Sequence, residues 1–210
     1  MTNPLRVLGV CGSLRAKSYN RALLHAAMEL VPPDMVIEEY IGIADLPHYN
    51  ADIDVQGGPP SAVSWRSAVG AADALLIAMP EYNFGPSGVL KNAIDWASRP
   101  PATSVLHRKP VALMGASSGM SGTARAQLAL RQSFVFTQSL VLPAPEVLVS
   151  NAATRFDENL RLTDVASRDY VRRLLVRLVA FARQLEGGPG RTRPDNTEGG
   201  PSRKRPDTTG

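Results

Sequence analysis

The 210-residue chain is short of cysteine and of long apolar runs, and each shortage excludes a class of protein. Its one cysteine, Cys11, has no partner in the chain for a disulfide and no neighbour at metal-ligand spacing. No apolar run approaches the roughly 20 residues that cross a bilayer, and the opening residues MTNPLRVLGV lack the layout of a signal peptide. We therefore expect a cytoplasmic protein with neither a metal site nor a membrane partner.

Two common phosphate-binding signatures are also absent. No segment has the Gly-Lys-Ser/Thr ending of a nucleoside-triphosphate P-loop, and Gly9 with Gly12 does not complete a G-x-G-x-x-G dinucleotide fingerprint. A chain that binds a nucleotide without either signature is more naturally suited to a mononucleotide.

The composition is that of one soluble domain followed by a polar tail. Hydrophobic residues make up 44% of the chain and charged residues 20%. From Gly187 onward the tail holds five Lys or Arg against three Asp or Glu and has no apolar residue, so ordering it would bury too little surface. We expect a domain over residues 1–186 and a disordered basic tail over 187–210. The net charge of +4 and the RKRP of the tail permit nucleic-acid contact, but a solvated tail with no such partner is the favoured interpretation.

Hydrophobic periodicity predicts alternating strands and helices. Strands are predicted at Leu5–Cys11, at Met35–Ile41 and within the segments ADALLIAMP, KPVALMGAS and SLVLP. Helices are predicted from Asn20, over Ala62–Gly70, within PSGVLKNAIDWAS and ARAQLALRQSFVF, and from a start signal at Thr163 and Asp164. Central strands that are apolar throughout indicate a doubly wound α/β domain, with a five-stranded parallel sheet covered by helices on both faces.

The loop GSLRAKSYN, which follows the first strand, has the residue types of an anion cradle. A helix N-terminus leaves backbone N–H groups unpaired and carries partial positive charge. Ser13 and Ser18 add hydroxyl donors, Asn20 an amide and Arg15 a guanidinium. The serines alone are compatible with an ordinary capped turn, but their combination with Arg15 favours anion binding.

The loop PEYNFGPSG, after the third strand, could cover one face of a planar heterocycle. Tyr82 and Phe84 supply aromatic surface, and a tight turn packed on the core remains an equal alternative. For Glu81, a helix or turn partner is favoured over a catalytic acid.

The segments GSLRAKSYN, PEYNFGPSGVLKNAIDWASR and KPVALMGASSGMSGTARAQLALRQ resemble the NADPH-dependent FMN reductase family, a flavodoxin-like group that includes quinone, chromate and azo-dye reductases. The similarity runs from about Val7 to the last helix. The resemblance implies the following FMN-binding residues: Ser13, Arg15, Ser18 and Asn20 at the phosphate, Pro80, Glu81, Tyr82, Asn83 and Phe84 along the ribityl chain and ring, and Ser117 and Gly119 near the ring.

The resemblance also implies an activity. Bound FMN would take hydride from NADPH or NADH and pass the reducing equivalents to a small-molecule acceptor such as flavin, quinone, chromate or an azo compound, with no side chain as catalytic acid or base. Family members are commonly homodimers or homotetramers. Two alternatives stay open: a flavodoxin-type electron carrier without pyridine-nucleotide activity, and a nucleotide- or nucleic-acid-binding regulator.

Overall fold

The computed structural model describes residues 3–186, so the predicted tail lies outside the described residues. The strands are β1 (Leu5–Cys11), β2 (Met35–Tyr40), β3 (Ala74–Ala78), β4 (Pro110–Ala116), β5 (Leu140–Val141) and β6 (Val147–Val149). The helices are α1 (Tyr19–Glu29), α2 (Pro60–Ala71), α3 (Gly88–Ala97), α4 (Ala124–Thr137) and α5 (Val165–Glu186). Among these, the helices are all too short or too polar to cross a membrane.

All the strands pair in parallel, in the order β2-β1-β3-β4, with β5 and β6 both on the outer side of β4. This is the 2-1-3-4-5 order of flavodoxin-like doubly wound sheets, so the predicted fold is confirmed. Two short strands, β5 and β6, share the fifth position of the sheet. Pro143 and Pro145, which have no N–H to donate, interrupt the chain between them. Arg131 fills part of that break, since both of its Nη atoms donate to the Leu142 carbonyl at 3.2 Å.

Helices cover both faces of the sheet, as the apolar strands predict. On one face, α1 and α5 pack against alternate strand residues such as Val7. On the other face, α2, α3 and α4 pack against the intervening residues such as Leu8. Each central strand is thus buried on both sides, which leaves the loops at its carboxyl end as the places where polar side chains can gather.

Helix α5 starts at the predicted signal. Asp164 accepts hydrogen bonds at Oδ2 from the backbone N–H of Ser167 at 2.8 Å and from its hydroxyl at 2.7 Å. Its other oxygen accepts from Arg155 Nη1 at 2.6 Å. The hydrogen bonds from Ser167 hold the pKa of Asp164 below its ordinary value, with Arg155 acting in the same direction.

Asp164→Ala is expected to lower the free energy of unfolding by about 0.5 to 2 kcal/mol at pH 7, the usual cost of losing a helix cap. Because the pKa of Asp164 is lowered by folding, this contribution is fully present above the unfolded value of about 3.9 and is lost as the pH falls through the folded value. Urea unfolding of both proteins at pH 7 and at about pH 3 measures the difference. Asp52→Ala, at an exposed aspartate, is the control. A difference of the same size at both pH values would contradict this account.

Candidate functional site

Three loops meet at the carboxyl edge of the sheet. They are the first loop (residues 12–18, after β1), the second loop (79–87, after β3) and the third loop (117–123, after β4). β1 lies between β2 and β3, so the chain leaves it in one direction towards β2 and reaches β3 on its opposite side. Open α/β sheets bind ligands at such a switch point.

The first loop carries donors that have no partner within residues 3–186. Its backbone amides from Ser13 to Lys17 make no hydrogen bond with another described residue. The Ser13 side chain is 3% exposed, and its hydroxyl makes none either. Residues 14–17 are exposed, so their amides, which open the N-terminal side of α1, form a donor set that is accessible to a phosphate.

Arg15 and Lys17 add charge to this loop. Both are exposed, and neither forms an ion pair with a described carboxylate. Their guanidinium and ammonium groups are therefore available to an anion that sits on the loop.

Ser18 and Asn20 lie at the start of α1 and are both buried. The Ser18 hydroxyl accepts from the backbone N–H of Arg21 at 3.3 Å and caps the helix. It also lies within hydrogen-bond reach of the Cys11 thiol. Asn20 pairs with the backbone of Ala116 at the end of β4: Nδ2 donates to the carbonyl at 3.0 Å, and Oδ1 accepts from the N–H at 2.9 Å. The structure thus gives the Asn20 amide a role in joining α1 to the third loop, while its predicted contact with the phosphate stays a prediction.

The second loop begins at Pro80, which is buried, and contains a tight turn that displays aromatic side chains. Tyr82 and Gly85 exchange two backbone hydrogen bonds of 3.0 and 2.9 Å, and the central residues Asn83 and Phe84 have φ of 50° and 64°. A positive φ is uncommon for asparagine and strained for phenylalanine, and such strain concentrates at functional sites. Tyr82 is 49% exposed and Phe84 67%, so both rings are available to a ligand rather than packed in the core.

Glu81 fixes this turn to α4. One carboxylate oxygen accepts from the backbone N–H groups of Arg125 and Ala126 at 3.0 and 3.2 Å, and the other accepts from Arg125 Nη1 at 3.0 Å and from the Ser121 hydroxyl at 3.2 Å. The guanidinium of Arg125 lies 4.1 Å from the ring centre of Phe84. Glu81 is the helix partner that its position in the sequence favours, and its carboxylate fills the N-terminus of α4.

Glu81→Ala is expected to lower the free energy of unfolding by about 1.5 to 3 kcal/mol, because a buried set of charge-assisted hydrogen bonds is lost and two helix N–H groups lose their acceptor. Arg125→Ala is the matched control: its guanidinium is half exposed, so the loss should stay below about 1 kcal/mol. Urea unfolding of the two variants measures the contrast, and equal losses would mean that Glu81 acts only as half of a surface ion pair.

The third loop is held close to β6. Ser117 donates its N–H to the Val149 carbonyl at 2.9 Å, and its hydroxyl accepts from the N–H of Gly119 at 3.1 Å. Gly122 has φ of 56°, and a Cβ there would lie 2.7 Å from the Leu148 backbone. Met120, between the two glycines, is 87% exposed and adds apolar surface beside the second loop.

The remaining nucleophilic and titratable candidates are not brought together. Cys11 is buried at the end of β1, and burial raises the pKa of its thiol. His25 contacts Glu39 at 2.7 Å on the outer side of α1, while His48 and His107 lie on separate exposed segments. The three loops therefore offer binding groups for an anion and a planar ring, without an acid-base pair among the described residues.

Three contacts were not foreseen from the sequence. Ser87 stands at the N-cap position of α3, as predicted, but its hydroxyl donates to the Gly12 carbonyl at 2.6 Å and so joins the second loop to the first. The pairs Asn20–Ala116 and Glu81–α4 join the other loops. In the sequence, these residues are marked only by standing in runs of polar residues beside glycines. Such a run does not indicate which residue each side chain will contact.

The sequence that contains these loops is similar to a known protein family and to named enzymes. The family model described as NADPH-dependent FMN reductase matches residues 5–154. A protein of Pseudomonas aeruginosa named NAD(P)H-dependent FMN reductase is 48% identical over 187 residues, covering 89% of this chain and 100% of its own length. The NAD(P)H:quinone oxidoreductase of Solanum tuberosum is 42% identical over 188 residues, covering 87% of this chain and 95% of the relative.

A solved structure gives the same picture. FerB of Paracoccus denitrificans, described as a flavoenzyme NAD(P)H:(acceptor) oxidoreductase, superposes with a TM-score of 0.78 at 29% identity, covering 86% of this chain and 98% of FerB. The residues matched by the family model, 5–154, include all three loops.

Proposed function

This chain belongs to the NADPH-dependent FMN reductase family, and on that premise we propose that it reduces quinones. It is an FMN-dependent NAD(P)H oxidoreductase with a small-molecule acceptor. Relatives named for quinones, including a 2-hydroxy-1,4-benzoquinone reductase of Burkholderia that is 37% identical over 179 residues, support the choice of acceptor. The balanced reaction takes one quinone, one NAD(P)H and one proton to hydroquinone and NAD(P)⁺.

The observation that carries the proposal is the set of unpartnered donors in the first loop. We propose that the backbone amides from Ser13 to Lys17 hold the FMN phosphate, together with the hydroxyls of Ser13 and Ser18 and the cation of Arg15. Asn20 donates one N–H of its amide to the Ala116 carbonyl, and we propose that the second N–H adds a donor to this set. FMN, when bound, accepts hydride from NAD(P)H and returns two electrons to the acceptor.

The second and third loops would hold the ring. Pro80 and Glu81 fix the turn. On this proposal Tyr82, Asn83 and Phe84 would border the ribityl chain and ring, and Ser117 and Gly119 would approach them from the third loop. The exposed side chains of Tyr82, Phe84 and Met120 would supply an apolar rim for the acceptor. A planar, weakly polar quinone matches such a rim better than a metal oxyanion does.

An anaerobic titration tests the activity. The purified protein, loaded with FMN, should bleach on addition of NADPH and regain its absorbance when 1,4-benzoquinone is added, with one quinone consumed per NADPH. A flavodoxin-type carrier would bleach only after a separate reductase is added, and that result would overturn the proposal. Chromate consumed at a higher kcat/KM than benzoquinone would overturn the choice of acceptor while leaving the reductase in place.

We also propose that the protein is a homo-oligomer with contacts through α4. Val135 and Phe136 are neighbours on that helix and lie about two turns from Leu128; the three residues are 70%, 67% and 59% exposed. An apolar stripe of this kind favours contact with a second copy. Light scattering after size-exclusion chromatography should give a dimer or tetramer for the native chain and a smaller species for Phe136→Ser; a native monomer would contradict this.

The remaining assignments follow from the same premise. We propose that residues 1–186 form the FMN-binding domain, that residues 187–210 are a basic tail outside it, and that the enzyme works in the cytoplasm, where NADPH is supplied. A chain that ends at Glu186 should bind FMN with unchanged affinity; a loss would place part of the site in the tail.

A further inference from the structure

An open groove runs between α5 and the segment that enters β6. One half has a volume of about 490 Å³ and is lined by Ala144, Pro145, Arg172, Arg173, Val176 and Arg177. The other half, of about 320 Å³, is lined by Glu146–Val149, Ser167 and Tyr170. The two halves follow one another along the chain: residues 144–145 continue into 146–149 on one wall, and Ser167 and Tyr170 precede Arg172 on the other. The ten helical steps from Ser167 to Arg177 span roughly 15 Å, enough for four or five residues of an extended chain.

The floor of this α5 groove is apolar and open to solvent. Val176 is 55% exposed and lines the groove together with Ala144 and Pro145. Tyr170, 45% exposed, lines the other half together with residues 146–149. The stems of the arginines continue the apolar surface up the wall. An occupant of the groove would therefore bury apolar side chains on this floor.

The rim has unbalanced positive charge. Arg173 is neutralised by Asp169 at 2.5 Å and stacks on Tyr170, with 4.5 Å between guanidinium and ring centre. Arg172 and Arg177, in contrast, form no ion pair or hydrogen bond with any residue from 3 to 186. Their forked donors match carboxylates, and they lie on the same part of the helix.

The positive charge of the groove disfavours some of the molecules that could bind there. A second copy docked here about a two-fold axis would bring one arginine wall against the other, which like-charge repulsion disfavours. The tail of this chain carries five Lys or Arg against three Asp or Glu and is disfavoured for the same reason.

We propose that the α5 groove binds an extended acidic segment of another protein, with carboxylates on Arg172 and Arg177 and apolar side chains on Val176 and Pro145. Glu146 marks the opposite end, so the carboxylates are expected at the Arg177 end only. The site lies outside the three loops and is independent of the acceptor proposed above.

The test uses the full-length protein and a fluorescein-labelled ten-residue peptide that alternates glutamate with valine. Fluorescence anisotropy should show saturable binding, and Arg172→Glu and Arg177→Glu should each raise the Kd at least tenfold. Arg183→Glu is the matched control, because Arg183 lies on the same helix but binds Asp34 at 2.9 Å outside the groove; it should leave the Kd within twofold. NADPH oxidation measured in parallel should be unchanged in all three variants.

Three outcomes would overturn the proposal. One is equal weakening by the control and groove variants, which would show that net charge alone attracts the peptide. Another is that the protein binds phosphatidylserine vesicles, loses this binding in Arg177→Glu, and does not bind the peptide at all. The last is dissociation of a native oligomer by Arg177→Glu, which would make the groove an interface between copies of this chain.

Discussion

Replacing Asn20 with alanine is expected to lower the free energy of unfolding of the FMN-free protein by about 2 to 4 kcal/mol. The amide of Asn20 satisfies both the N–H and the carbonyl of Ala116, and all of these groups are buried. Without Asn20 the two backbone groups lose their partners, and each unsatisfied buried group costs about 1 to 3 kcal/mol. Urea unfolding in the absence of FMN measures the loss.

The control for this variant is Asn159→Ala, because Asn159 is exposed and its side chain makes no hydrogen bond with a described residue. It should change the unfolding free energy by less than about 0.5 kcal/mol. If Asn20→Ala kept full stability without FMN and lost only affinity for FMN, Asn20 would be a phosphate ligand and its pairing with Ala116 energetically unimportant.

Arg15→Ala is expected to weaken FMN binding by about 1.5 to 3 kcal/mol, the range for a hydrogen bond that involves a charged group. This corresponds to a rise in Kd of about ten- to a hundredfold. Arg15 is exposed and has no ion-pair partner within residues 3–186, so the stability of the FMN-free protein should not change. Quenching of flavin fluorescence on titration gives the Kd.

The matched control is Arg172→Ala, which removes another unpaired arginine at a distance from the three loops. It lowers the net charge equally and should leave the Kd for FMN unchanged. An unchanged Kd in Arg15→Ala would remove Arg15 from the phosphate site, and equal weakening in both variants would assign the effect to overall charge.

Hydrophobic periodicity was sufficient to predict the parallel sheet, because its central strands are buried on both faces and therefore read as continuous apolar runs. β6 was not predicted, since three residues between prolines and a loop are too few to show a period. Its position depends on pairing with Met114 to Ala116, which are more than 30 residues away in the chain.

The sequence predicted which types of residue form the candidate site, but not which contacts those residues make. The order of small donors and cations in the first loop indicates an anion, because that chemistry is local to the loop. The partners of Asn20, Glu81 and Ser87 depend on which strand ends lie side by side, and the sequence pattern does not specify that. Glu81 shows the limit most clearly: its position after a strand favours a helix or turn partner over a catalytic acid, but it does not indicate that the partner is the N-terminus of α4.

The three polar contacts that join the loops also determine when the site can form as the chain folds. Ser87 and Gly12 are 75 residues apart, Asn20 and Ala116 are 96 apart, and Glu81 and Arg125 are 44 apart. Contacts of such long sequence separation form only after the intervening chain has been ordered. Refolding molecules should therefore acquire the proposed FMN phosphate site in their last step, after β1, β3 and β4 have paired. Flavin uptake in a stopped-flow experiment should trail the recovery of helical circular dichroism.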